Sequence, residues 1–485
     1  MVATSEVFTP AQLPTYTDVD RSAVSSALQQ WARRGGFFVT VLGPSKLGKT
    51  TLVKSYLNGL NSEESWSTYL SGQSLQDGAE ALWAKLAGEL GIPTSRESGL
   101  ANSDRSTWGI FARLSVALFP GTGLSTGVNV SESREHKASS NERFDVDPEA
   151  AVKEALTTLL DKKLRAVVVI DDYHFVESVD ARRAIALALR PLTDKGLTVI
   201  LCTIHAGQVD EAMVNTNLGG RRKRVMIKPW DLDELGQIAT QGFPYLSVTT
   251  TEDVVKRLAG ESFGSPQIMQ QLLLDLCENV NGILEGEAGQ PLADLKEPAD
   301  WSDFFRSVED EDAFNWLSGL TQGPNPRKSR SKRIHPGPPP KELDGYQLIM
   351  LALHEMGSPT EVPFSEVKQH IGQKLGLTAT ELNQLALELK ARNLNEIASK
   401  DTRDALAAHA LDDANANGDT NDDATGGDES ADEKAAFAEM VAADAIPQPT
   451  FKVQGDQQAA KVSVLDPLLS YVIKWHPEII LESGR

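Results

Sequence analysis

FFVTVLGPSKLGKTTLVKSYLNGL, residues 37–60, reads as three pieces in one run. FFVTVL (37–42) is almost continuously apolar, as expected of a strand covered on both faces. TLVKSYLNGL (51–60) has helical character. Between them GPSKLGKT (43–50) fits G-x-x-x-x-G-K-[ST], in the strand-before, helix-after setting that gives the pattern its meaning. Gly43 and Gly48 let the backbone curl, so that the N–H groups of Ser45, Lys46 and Leu47, with Pro44 shaping the same curl, form a nest for phosphate oxygens. The helix that follows, with Thr51 in its first turn, adds its partial positive charge. Lys49 is expected to reach the β- and γ-phosphates, and the Thr50 hydroxyl to coordinate Mg²⁺.

The second half of such a site is LRAVVVIDDYHFV, residues 164–176. A buried strand ending in acid places a carboxylate at the C-terminal edge of a sheet, beside the metal. Asp171 ends the apolar run and is expected in the metal shell. Asp172 is expected to orient or polarise the attacking water.

Working outward, runs such as WSTYL (66–70), LTVILCT (197–203) and RVMIK (224–228) alternate with helical stretches near 50–59, 78–90, 148–162 and 178–190. That alternation predicts an α/β fold with a parallel sheet. Residues 121–147 are polar and Gly/Ser-rich and read as a mobile insertion in a core spanning 1–230. From 231 to 320 the spacing is helical and predicts a lid domain. Residues 321–342, including RKSRSKR, form a basic, Pro-rich linker. From 343 to 485, three helices followed by a strand pair are the order of a winged helix, with an acidic disordered insertion at 402–447.

The chain of 485 residues carries 47 Lys and Arg against 68 Asp and Glu, a net charge of −21. Residues 401–450 alone hold 13 acids and 2 bases. Such a balance disfavours nonspecific coating of nucleic acid but leaves room for a local basic patch. Two cysteines, Cys202 and Cys277, exclude a disulfide framework and a Cys-rich zinc site. The first residues show neither a basic start nor an apolar run, and no stretch approaches the length of a membrane helix. A cytoplasmic protein without membrane contact is expected.

A phosphate loop, a long insertion and then a strand ending in paired acids resemble the additional-strand P-loop ATPases. Within them the chain is similar to the signal-transducing ATPases with numerous domains (STAND) and to AAA+ proteins of the origin-recognition type. The resemblance implies ATP and Mg²⁺. It also implies an adenine-contacting segment in FTPAQLPTYTDVDR (8–21), with Tyr16 and Arg21. LTVILCTIH (197–205) would carry a γ-phosphate sensor at Thr203 or His205. In RRKR (221–224), Arg221 and Arg222 stand where oligomeric relatives carry an arginine finger. FGSPQIMQQLL (263–273) resembles a lid segment that would bring Pro266 near the adenine or ribose. The pair is Asp–Asp where AAA+ hydrolases typically have Asp–Glu, and the shorter side chain implies slow turnover. The implied function is an ATP-driven switch controlling homo-oligomerisation or a separate effector protein, in bacterial stress or antiviral signalling. The alternatives are a DNA-associated loader or transposition-type regulator, and an adaptor that binds ATP without hydrolysing it. Nucleic acid is weighed as a partner but not favoured, since the third winged helix offers only Lys390 and Arg392 beside Glu381 and Glu388.

Overall fold

The computed structural model describes residues 1–92, 147–176, 178–204, 209, 219–308, 310–322, 332–336, 339–378, 380–381, 451–454 and 461–482. The chain forms two compact units. Met1–Val19, Pro44–Leu47 and Pro229–Arg485 make the first, and Asp20–Gly43 with Gly48–Lys228 the second.

The second unit is built on five parallel strands: β1 (Phe38–Leu42), β2 (Ser65–Ser71), β3 (Arg165–Asp171), β4 (Thr198–Thr203) and β5 (Arg222–Met226). Their order across the sheet is β2-β3-β4-β1-β5. Strand β4 therefore stands between the strand that feeds the phosphate loop and the strand that ends in acid. This is the additional-strand P-loop arrangement, and it fixes the fold class as α/β. Val167, Val168, Val169 and Ile170 are wholly buried, which is why this stretch shows no alternation. Helices α1 (Ser22–Arg34), α2 (Lys49–Asn58), α3 (Ala79–Glu89), α4 (Pro148–Asp161) and α5 (Val179–Asp194) accompany the sheet. Asp147 caps α4 by accepting from the Glu149 N–H, with Pro148 at the first helical position, as local sequence dictates. Trp66, Leu82, Trp83, Leu156 and Leu189 fill the core against the sheet.

The first unit is mainly helical. Helix α6 (Leu232–Leu246) opens with a reciprocal capping box between Asp231 and Glu234. Helix α7 (Glu252–Glu261) is capped by Thr251, and α8 (Pro266–Asp275) by Ser265 with Pro266 at its first position. The N-terminal segment packs here, with Val7 and Phe8 fully buried in the same core as Leu235, Ile238 and Phe243. This differs from a core expected to run from residue 1, because the docking is apolar, long-range and carries no local sequence mark.

Further along lie α9 (Glu311–Gln322), α10 (Gly345–Glu355), β6 (Glu361–Pro363) and α11 (Phe364–Leu375). They are followed by β7 (Phe451–Gln454), β8 (Lys461–Val464) and α12 (Pro467–Trp475). The strands form an antiparallel sheet in the order β6-β8-β7. Within the stretch expected as a bare linker, Arg333–His335 pairs with Lys341–Leu343 in a two-stranded ribbon. The expected insertions at 121–147 (apart from Asp147) and 402–447, and the third helix of the winged helix beyond Glu381, lie outside the described residues.

Both cysteines are free and fully buried, Cys202 in β4 and Cys277 just after α8. No helix among the described residues is long and apolar enough to cross a membrane.

Candidate functional site

The parallel sheet places the ends of β1 and β3 on one edge. Gly43 leaves β1 against the chain after β5, and a Cβ there would run into the Ile227 carbonyl. Only glycine fits that approach. Gly48 has a φ of 89°, the left-handed region that glycine enters without penalty, and it turns the chain into α2. Lys49 opens that helix, is buried, and donates through Nζ to the Gly43 carbonyl at 3.0 Å. An ammonium held across the mouth of its own loop is placed to exchange that carbonyl for a phosphate oxygen.

Thr50 stands in the first turn of α2, and its hydroxyl donates to Asp171 Oδ2 at 2.6 Å. The Asp171 carboxylate is buried, and its Oδ1 accepts the backbone N–H of Asp172 at 2.9 Å. Tyr69, from the neighbouring strand β2, also donates to Asp171 Oδ2. Asp172 sits in the left-handed region at φ 50°, a conformation that Asp tolerates better than most residues. Burial pushes its carboxyl up to about 6, with the Asp171 charge adding to the rise and Lys49 opposing it. Burial, with Asp171 contributing, also pushes the Cys202 thiol up, which keeps it protonated and inert.

Mg²⁺ is a hard ion that commonly takes one or two protein oxygens and completes its shell with water and phosphate. The Thr50 hydroxyl and Asp171 carboxylate offer that sparse oxygen set, joined by a 2.6 Å hydrogen bond. Among the described residues no cluster of three or more His, Cys, Asp or Glu is arranged to hold a metal.

The remaining sequence-derived residues are spread more widely. Pro44, Ser45, Lys46 and Leu47 group with the first unit, where Lys46 has a φ of 57° and its ammonium stands 3.2 Å from Asp466. Thr51 follows Thr50 in α2. Tyr16 belongs to the first unit and packs on Tyr245, with ring centroids 4.7 Å apart. Pro266 starts α8 in the same unit. Arg21 lies in the second unit, flanks α1 and donates to the Lys228 carbonyl at 3.1 Å. Thr203 ends β4 fully buried, whereas His205 lies outside the described residues.

Arg221 and Arg222 stand at the start of β5, on the sheet edge opposite the one that carries Lys49 and Asp171. The Arg221 guanidinium donates to the carbonyls of Thr193 (2.9 Å) and Gly36 (3.3 Å) and pairs with Asp194 at 3.3 Å. It ties together the turns that enter β1, β4 and β5. Tyr69 is the site residue that sequence reasoning missed. Its one signal was an aromatic residue near the end of the strand that pairs with the acidic one.

No family model matches the chain, and no curated protein matches it. Among solved structures it is similar to a Walker-type ATPase of Pyrococcus abyssi, at 14% identity and a TM-score of 0.47, over 96% of this chain and 99% of that one. It is also similar to the ADP form of the Orc2 protein of Aeropyrum pernix, at 11% identity and a TM-score of 0.39, over 99% of each chain. A third is the Orc1 protein of Aeropyrum pernix in complex with DNA, at 13% identity and a TM-score of 0.38, over 81% of this chain and 87% of that one. With each of these TM-scores below 0.5, the fold class rests on the strand order and phosphate loop of this chain itself.

Proposed function

We propose that the protein binds ATP with Mg²⁺, hydrolyses it slowly, and uses the nucleotide state to control self-assembly or a partner. One observation carries this reading: the hydroxyl that follows the phosphate-loop lysine donates to the carboxylate that ends β3. In this reading Lys49 releases the Gly43 carbonyl and binds β- and γ-phosphate oxygens as a point charge. Thr50 and Asp171 hold the metal, which when bound neutralises charge on the phosphates. Asp172 orients the attacking water and takes its proton, for which a carboxyl near 6 is better matched than an ordinary one. Its short side chain makes that step slow. Arg221 and Arg222 are left out of the chemistry. In the same reading the sheet unit from Asp20 to Lys228 acts as the ATPase core, 231–320 together with the N-terminal segment as a lid, 321–342 as a linker and 343–485 as a winged helix.

The test is a calorimetric titration with ATP and ADP in Mg²⁺, together with phosphate release. The parent chain is expected to bind both nucleotides and to release phosphate above the blank. Lys49→Ala is expected to lose about 10–100-fold in affinity, as removal of a charge-assisted contact does. A folded parent that takes up no nucleotide refutes the proposal. Binding with phosphate release at the blank selects the non-hydrolysing adaptor.

A DNA-associated ATPase is the second reading. The Orc1 protein of Aeropyrum pernix was solved with DNA. On this chain's own residues the support is RKSRSKR (327–333), five cations beside the proposed winged helix, enough to neutralise several phosphates. It stands ahead of stress or antiviral signalling, which rests on the family resemblance alone. Binding of duplex DNA that weakens steeply with salt is expected under this reading, and no binding above background at near-physiological salt removes it.

A further inference from the structure

Strands β2 and β3 run parallel, with Tyr69 opposite Val169 and Ser71 opposite Asp171. Two residues of strand span about 6.6 Å, which a tyrosine can cover. The Tyr69 ring reaches along the sheet and its hydroxyl donates to Asp171 Oδ2. Helix α2 holds the same ring from another direction, since the Lys54 ammonium lies 4.9 Å from its centroid. Lys54 is one helical turn beyond Thr50, on the same face, and the Thr50 hydroxyl shares Oδ2 with Tyr69. The other carboxylate oxygen is fixed by the Asp172 N–H. These donors restrain rotation of the carboxylate, which also hydrogen-bonds the buried Cys202 thiol of β4. Tyr69 is the oxygen donor that comes from outside the phosphate loop and the acid pair.

We propose that Tyr69 is a positioning residue, which holds Asp171 in the orientation that Thr50 and a bound Mg²⁺ require. The proposal rests on the ATP-and-magnesium reading above and concerns the metal side of that site. Without the phenol, Oδ2 keeps Thr50 as a donor, but the carboxylate can turn away when that hydroxyl is drawn to the metal. Outer partners of this kind typically govern metal affinity by 10–100-fold. The described contacts of Tyr69 are with Asp171 and Lys54, so nucleotide affinity without metal is expected not to depend on it.

The experiment measures affinity for a fluorescent ATP analogue across a Mg²⁺ titration and in EDTA, for the parent, Tyr69→Phe, Asp171→Asn and the double variant. Tyr69→Phe keeps the ring and its contact with Lys54. The expected result is a Mg²⁺ midpoint raised about tenfold in Tyr69→Phe, with affinity in EDTA unchanged. In the Asp171→Asn background the same change is expected to have no further effect, because the two residues act through one contact. An unmoved midpoint overturns the proposal, as does an equal shift in the Asp171→Asn background. Loss of affinity in EDTA as well overturns it in favour of a purely structural tyrosine. A parent that binds nucleotide independently of Mg²⁺ overturns this proposal alone. A parent that binds none overturns the ATP reading together with it.

Discussion

Asp172 sets a cost that Lys49 relieves only in part. Its carboxyl is raised from 3.8 to about 6 by burial and by Asp171, so the folded chain retains a proton that the unfolded chain has released at pH 5. Stability is therefore unburdened below about pH 4, falls as pH rises through that window, and carries the full penalty above about 6. Asp172→Asn removes the charge and keeps a residue suited to a left-handed φ. In nucleotide-free protein it is expected to stabilise by at most about 3 kcal/mol at pH 8 and by little at pH 4, while abolishing phosphate release. Thermal melts at the two pH values check this, and equal gains at both would contradict it. The phosphate loop and the acid pair were legible in the sequence because each is a local pattern whose chemistry follows from spacing alone. Tyr69 was not, since its role depends on the register between two strands separated by about a hundred residues.

At the scale of elements, two glycines in one loop are constrained for different reasons. Gly43 is held by a close approach to the Ile227 carbonyl, while Gly48 meets nothing within 4 Å and is required only for its φ of 89°. Gly43→Ala forces the loop and the chain after β5 apart. Gly48→Ala pays conformational strain of about 1–2 kcal/mol. Urea unfolding is expected to show the larger loss for Gly43→Ala, and the reverse order would show that the approach to Ile227 relaxes freely. Apart from α1 (Ser22–Arg34), which was not anticipated, strand and helix positions in the sheet unit were readable to within a residue or a few, because buried apolar runs and Asp, Ser or Pro caps mark them locally. Short pairings were not. The Arg333–His335 ribbon sits in a basic, Pro-rich stretch whose composition gives no strand signal, and Arg221 showed its charge but not the carbonyls that it binds.

For the whole molecule, each compact unit has its own hydrophobic core. The docking of Val7 and Phe8 beside α6 belongs to one of them and was invisible in the sequence, since two apolar residues near a terminus specify no address. Separate cores predict separate cooperative transitions. Calorimetry is expected to resolve two, with ATP and Mg²⁺ raising chiefly the one that contains β1, β3 and α2. A single transition whose calorimetric and van't Hoff enthalpies agree would show that the two cores melt as one.

The placement of the two thiols turns this into a measurement that needs no engineered label. Cys202 lies in one unit and Cys277 in the other, each wholly enclosed. An alkylating reagent can reach either sulfur only when its surroundings open, so modification rates, separated by peptide mass, clock the opening of each half independently in the unaltered chain.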